Sequence, residues 1–287
     1  MSEVEHVQRI TGEHFQMDLF IDPYNKRLRV DDYRGDVSQV VEKVEELAVH
    51  LKSEKMIIIG RREHYTSLLE KAFQCEAVVD HFFNGSDAYY FTKFSSMERK
   101  QNAHWIIEDR TIKSVSKLAR NQAKKVIPTG YELKKLYKKD AKPLVQLYQE
   151  VFQIYPTPLH DPEYIRETME RGTIYYGFIH EDNIVSAASA EVNDRYHNAE
   201  LTDCATLLSY RKYGLMKHVL EKLAGELKKN RIYCAYSIAR AQSFGMNAVL
   251  HQLGYEYRGR LMNNCYIFDK LENMNMWVKD LSYLNEQ

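Results

Sequence analysis

The chain has 287 residues, 44% of them apolar, which is enough for one large core or two modest ones; at roughly 100 to 200 residues per domain, two units are expected. Lysine plus arginine balances aspartate plus glutamate at 40 each, which excludes a global field that would draw the chain to nucleic acid or an anionic membrane. No apolar run in Met1 to Val30 is framed as a signal peptide, and none in the chain reaches the roughly 18 residues of a membrane span, so a soluble cytoplasmic protein acting on a small molecule is expected.

Strands and helices alternate from about Phe20 to Phe94 and again from Tyr131 to the C-terminus, which predicts an α/β fold. Between the two stretches, Asp109 to Val126 carries Lys113, Lys117, Arg120, Lys124 and Lys125, followed by the breaker Pro128-Thr129-Gly130. It reads as a domain link with a solvated basic face, dividing the chain into residues 1–126 and 127–287. In the second unit a strand is expected over Tyr131 to Tyr137 and a helix from Ala141 to about Gln153. The rigid Tyr155-Pro156-Thr157-Pro158-Leu159-His160 follows, then a helix from Asp161-Pro162-Glu163 to about Glu170 with proline at its first turn. Thr173 to His180 and Ile184 to Asn193 form a hairpin, and a longer strand, Ala199 to Leu208, leads into Arg211-Lys212-Tyr213-Gly214-Leu215-Met216. Beyond it come a helix over Leu215 to Lys229, a strand over Ile232 to Ile238, a helix over Phe244 to Leu253 ended by Gly254, and a strand pair within Tyr257 to Phe268.

An internal repeat is suggested, because Val40 to Phe94 and Met216 to Leu271 share one order of elements. Val40 to Leu47 echoes Val219 to Leu227, and Met56 to Ile59 echoes Ile232 to Ala235. The first copy has only Arg34-Gly35-Asp36 where the second has its glycine loop, so an acid stands where a phosphate would sit and no cofactor is expected there.

In the second copy, a strand is followed by Arg-x-x-Gly-x-Met and a long amphipathic helix. Glycine lets the backbone approach a ligand, and the bare N–H groups and dipole of the helix attract phosphate, with Arg211 adding a guanidinium. Four separated cysteines, Cys75, Cys204, Cys234 and Cys265, offer no metal-ligand spacing, so no metal is expected; Cys234 and Cys265 read as buried, inert thiols.

The order of elements from about Tyr131 to Phe268 resembles the GNAT (acyl-CoA N-acyltransferase) fold, here behind an N-terminal α/β domain that reads as a degenerate GNAT-like half. The resemblance implies acetyl-CoA as co-substrate, held by Leu207, Leu208, Arg211, Lys212, Tyr213, Gly214, Leu215 and Met216; the small residue usual at the last position is replaced by Met216. Ala199-Glu200-Leu201-Thr202-Asp203-Cys204-Ala205-Thr206, Tyr155-Pro156-Thr157-Pro158 and Asn273-Met274-Asn275-Met276-Trp277 resemble the β-lysine N6-acetyltransferases, which make the osmolyte N6-acetyl-β-lysine. That resemblance implies a small-molecule amine as partner, closed in by Tyr155, Pro158, His160 and Tyr164, with homodimerisation left open. Another small amine such as a polyamine, a protein lysine, or a noncatalytic CoA-binding role are the alternatives.

An amine of reference pKa near 10.4 is neutral in only about one molecule in 10³ at neutral pH, so a base is needed. Glu200 leads, then Asp203, then Glu191 on the neighbouring strand; strand alternation puts Glu200 and Asp203 on opposite faces. The tyrosine that many family members use as acid is Leu250 here, leaving Tyr236, His251 or Tyr255 as substitutes, and Arg166 or Arg195 is available to a substrate carboxylate.

Overall fold

In β2 (Phe15–Asp22) and β3 (Arg27–Gly35), Met17, Leu19, Leu28 and Val30 are buried while Asp18, Phe20, Arg29 and Asp31 are only partly covered. A period of two needs cover on one face. The helix α1 (Val37–His50) supplies it with a stripe of Val40, Val41, Val44 and Ala48. The remaining elements of this half are β1 (His6–Thr11), β4 (Lys55–Gly60), α2 (Tyr65–Glu70), β5 (Gln74–Phe83) and β6 (Ser86–Phe94). Two helices follow, α3 (Met97–Lys100) and α4 (Trp105–Val115). The second half runs β7 (Glu132–Leu136), α5 (Ala141–Val151), α6 (Pro162–Glu170), β8 (Ile174–His180), β9 (Asn183–Asn193), β10 (Asn198–Thr206), α7 (Leu215–Lys229), β11 (Cys234–Arg240), α8 (Phe244–Gln252), β12 (Glu256–Ile267) and β13 (Lys270–Asp280). This is a computed structural model, and it describes residues 6–120, 125–152, 157–267 and 270–282.

Among the described residues thirteen strands form one sheet, in the order β1-β2-β3-β4-β6-β5-β12-β13-β11-β10-β9-β8-β7. Read inwards from β1 and from β8, β1-β2-β3-β4-β6-β5 and β8-β9-β10-β11-β13-β12 are the same path, with β7 added outside β8. Each half has one parallel pair, β3 with β4 and β10 with β11. The expected repeat is therefore present in the topology, and the second half has the expected α/β order.

Several boundaries differ from expectation. The strand pair sought within Tyr257 to Phe268 is a single strand, β12; Asn273 to Trp277 belongs to its partner β13, which inserts between β12 and β11. The echo of Met56 to Ile59 with Ile232 to Ala235 is out of phase: Ile57, Ile59, Cys234 and Tyr236 face one shared cluster, whereas Ile58 and Ala235 face helices. The basic link is partly a structural helix, because α4 buries Val115 among the residues that pack on α7 and α8, while Lys113, Lys117 and Arg120 stay exposed. Lys124 lies outside the described residues.

The halves join where β12 pairs with β5, at Gly259 opposite Ala77. Gly259 has φ +133°, and a Cβ there would stand 2.2 Å from the Glu76 carbonyl oxygen, so only glycine fits the seam. Beside it Lys55 is 0% and Glu76 2% exposed, and their Nζ and Oε2 are 2.9 Å apart. Lys55 also donates to the Met262 carbonyl at 2.6 Å, and Glu76 accepts from Thr92 Oγ1 and Met262 N–H. Burial pulls the Lys55 pKa down to about 8, and the Glu76 charge opposes that shift.

The central strands curl. Six strands separate β3 from β10 in the sheet order, yet Arg195, on the turn before β10, places Nη1 2.6 Å from Asp32 on β3. Asn198 Nδ2 donates to the Phe82 carbonyl at 2.9 Å, and Asn84 Nδ2 to the Arg195 carbonyl at 3.2 Å. The two flanks thus close a trough whose floor is the cluster of Ile57, Ile59, Tyr90, Tyr236, Met276 and Val278. All helices that pack in the α1 and α7 layers lie on its outer side.

Replacing Lys55 by Met leaves the Glu76 carboxylate buried without its cation, at a cost of about 3–5 kcal/mol. Denaturant unfolding of Lys55→Met, and of Lys55→Met with Glu76→Leu, should show a large loss in the first and substantial recovery in the second.

Candidate active site

The strand β10 ends at Thr206, two residues before the expected Leu208, and a tight 3-10 turn over Leu208–Tyr213 carries the chain to α7. Gly214 sits at φ +68°, ψ +27° as the N-cap of α7, with no side chain to cap it. No side chain therefore caps the N–H groups of Leu215 and Met216 at the positive end of a 15-residue helix, while the Lys217 N–H meets the Gly214 carbonyl at 3.2 Å. Arg211 donates from Nε to the Thr206 carbonyl at 3.1 Å, which folds its guanidinium back over the turn. Lys125 Nζ meets the Lys212 carbonyl at 2.8 Å, so the link returns across this loop. Leu208 is exposed, while Leu207, Tyr213 and Met216 pack partly on the core below. Met216 thus turns its side chain towards the core, and its departure from the family pattern leaves the loop intact.

The matching corner of the first half is different. Asp36 caps α1 with its own carboxylate, accepting from Ser38 N–H at 2.8 Å. An anion there would meet a fixed negative charge in place of bare N–H groups.

The parallel pairing of β10 with β11 stops at Glu200 opposite Tyr236, and beyond this rung the strands part. Ser237 Oγ reaches the Leu201 carbonyl at 2.7 Å just inside the gap. On the other side of β10, two residues, Asp203 and Cys204, oppose one on β9, forming a bulge with Asp203 at φ +52°. The bulge overturns the expectation that Glu200 and Asp203 face opposite sides, because the extra residue resets the alternation. Asp203 accepts from Ser189 Oγ at 2.7 Å, is 4% exposed, and acts electrostatically on Glu200 and Tyr175.

Glu191 stands directly across from Glu200 in the β9–β10 ladder, so all three carboxylates share one side. Burial raises the Glu200 carboxyl to about 7, with Arg29 opposing the shift and Asp203 adding to it. Tyr236 and Tyr90 feel the Glu200 charge, and burial holds both phenols above their ordinary value.

Of the substrate-side residues, Tyr164 packs against the α5–α6 cluster and acts on Tyr175, which also feels Asp203 and Glu191. Pro158 belongs to the turn before α6, His160 is exposed in it, and Tyr155 lies outside the described residues. Arg166 pairs with Glu163 on its own helix and Arg195 with Asp32 and Asp18, so both guanidinium groups already have carboxylate partners within the protein. Among the candidate acids, His251 Nε2 is held 3.0 Å from the Leu118 carbonyl, and Tyr255 is buried beside Cys204 and Cys234.

The thiols are free, and burial pushes Cys234 up to about 12. Among the described residues no group of acidic, histidine and cysteine side chains is arranged to hold a metal, and no helix is long and apolar enough to cross a membrane. Sequence reasoning missed the neighbours that β3 contributes, Arg29 and Asp31. The signal was Arg27-Leu28-Arg29-Val30-Asp31, a strand whose alternate charges read as a solvent face.

Residues 141–255 match the model of the acetyltransferase (GNAT) family. The N-acetyltransferase YodP of Bacillus subtilis (strain 168) is 37% identical over 260 residues, 91% of this chain and 94% of that protein. The β-lysine N(6)-acetyltransferase of Methanosarcina mazei is 33% identical over 270 residues, 87% of this chain and 100% of that protein. A solved N-acetyltransferase from Staphylococcus aureus Mu50 aligns with a TM-score of 0.48 and 15% identity, over 54% of this chain and 100% of its own. With similarity along nearly its full length, a glycine-capped helix after a strand that parts from its neighbour, and the family match over that region, the chain belongs to the GNAT family of acetyl-CoA-dependent N-acetyltransferases.

Proposed function

We propose that the chain acetylates the terminal (N6) amine of β-lysine, giving the osmolyte N6-acetyl-β-lysine. The carrying observation is Glu200 at the last rung before β10 and β11 part, on the strand that leads to the glycine-capped helix. The full-length likeness to the Methanosarcina mazei protein supports the acceptor. In this reading residues 127–287 form the acetyltransferase domain, and residues 1–126 are a degenerate half without a cofactor site of its own.

The residues present fit acetyl-CoA: Gly214 in the left-handed region leaves the start of α7 open, with Lys125 Cδ 3.8 Å away as the nearest side-chain atom to a Cβ built there. Gly214, the N–H groups of Leu215 and Met216, and Arg211 would hold the pyrophosphate, with Lys212, Tyr213, Leu207 and Leu208 flanking it. When bound, acetyl-CoA supplies an acetyl group activated as a thioester.

Glu200 takes the proton of the acceptor ammonium, which at pH 7 is charged in all but about one molecule in 10³. Its raised pKa suits this role, since a base near 7 is both ionised and strong enough to draw the proton. Burial keeps that pKa raised and Asp203 adds to it, while Glu191, across the ladder, extends the negative field that attracts the ammonium. A thiol of pKa near 8.5 leaves readily as thiolate, so no dedicated acid is required.

Thiol release from acetyl-CoA with β-lysine, α-lysine and spermidine tests the acceptor: β-lysine should be turned over far faster than the others, and equal or greater turnover with spermidine would transfer the reading to polyamines. Glu200 must be ionised to act, so kcat/KM should rise about tenfold per pH unit below about 7 and level off above it. Glu200→Gln should lower kcat by about 10²- to 10⁴-fold with the KM for acetyl-CoA unchanged. Gly214→Asp should instead raise that KM by more than about tenfold, because it places an anion at the bare helix start and a Cβ at positive φ.

A further inference from the structure

Within that acetyltransferase reading, we propose that Arg29 and Asp31, in the N-terminal half, are the acceptor-recognition pair, holding a carboxylate and an ammonium at the far end of the amine substrate. Strand phase puts them opposite Glu200. Asn198 reaches across the trough to the Phe82 carbonyl of the N-terminal half, and Glu200, two residues on along β10, points the same way. From the other flank, Arg29 pairs in register with Ile57, and Ile57 faces the trough cluster that contains Tyr236, the ladder partner of Glu200. Asp31 is the bulged residue of β3, opposite the step between Asp18 and Leu19, so it stays on the side of Arg29.

The pair is built to receive a zwitterion. Arg29 grips Asp31 through Nε and Nη2, leaving Nη1 for another acceptor, and its guanidinium lies 5.0 Å over the Phe20 ring. The two side chains are 28% and 31% exposed, partly covered and still reachable. Their neighbours are committed elsewhere: Arg61 and Arg195 both bind Asp32 at 2.6 Å. A substrate carboxylate on the Arg29 guanidinium and its amino group on Asp31 complete the alternation of charge, and the phenol rings of Tyr90 and Tyr236 flank an aliphatic stem directed to Glu200. A polyamine offers only cations to Arg29, so the same pair selects against it. The N-terminal half thereby supplies the acceptor wall of a site whose donor loop lies wholly in the C-terminal half.

The test compares wild type, Arg29→Gln, Arg29→Lys and Asp31→Asn as full-length proteins with β-lysine and with cadaverine, a diamine lacking the carboxylate. Compared at a pH above the Glu200 titration of each protein, Arg29→Gln should raise the KM for β-lysine about 10²-fold with the KM for acetyl-CoA unchanged and with a far smaller loss of cadaverine turnover, and Arg29→Lys should fall between. Asp31→Asn should raise the β-lysine KM about tenfold or more. An unchanged β-lysine KM in Arg29→Gln, or equal losses with both amines, overturns the pair while leaving β-lysine as acceptor. Wild type that prefers cadaverine overturns the carboxylate contact and the β-lysine reading but keeps acetyl transfer. Wild type active on neither amine overturns the acceptor reading and the pair together.

Discussion

The molecule depends on one seam. Strand β12 is hydrogen-bonded to β5, and behind that junction a lysine and a glutamate with almost no exposure share a carbonyl and an amide of Met262. A buried ion pair is weak evidence of stability by itself, since desolvation offsets most of its attraction. Its worth here is geometric. Three strands of the N-terminal half and one of the C-terminal half must be in register before Lys55, Glu76, Thr92 and Met262 can all be satisfied. Buried Arg99 repeats the device one step along, bonding the Asn263 carbonyl at the β12 irregularity. Fixing the seam fixes the curl, and the curl brings β3 and β10 face to face.

Two halves with the same path have diverged at one corner. Both parallel pairs run for three or four rungs and both inner strands carry a bulge just beyond. At the following helix one half has a bare glycine and the other an aspartate that satisfies the helix itself. A single carboxylate at an N-cap stabilises its own helix and at the same time repels an anionic ligand. The corner that keeps its bare N–H groups follows the strand that carries Glu200, whose carboxyl burial raises and Arg29 of the other half holds back.

Much of this was legible in the residues. Gly214 could be read because a left-handed N-cap accepts few other residues, and the Leu215-Val219-Leu220-Leu223-Leu227 stripe because burial has the helical period. Glu200 followed from its place on a strand ahead of that loop. The side of Asp203 did not, because a bulge arises from register with β9, which lies outside any local pattern. Asn275 and Trp277 hid β13, since polar residues in a central strand look misplaced until Asn247 Oδ1 accepts from both at 2.9 and 2.8 Å. Arg29 and Asp31 were hidden by the curl: alternate charges on a strand read as a wet face, and only long-range topology turns that face inward.

The trough has one further property. Backbone ladders close its floor, but its rim is closed by side chains: Arg195 on Asp32 and on Asp18, and Arg61 on the Tyr196 hydroxyl. Arg195 is 40% exposed while its partner Asp32 is 9% exposed, so dissolved ions reach the pair from the arginine side. The rim is thus held by two kinds of contact, ion pairs that dissolved ions screen and neutral hydrogen bonds from Asn198 and Asn84 that they do not, so salt weakens only part of the closure.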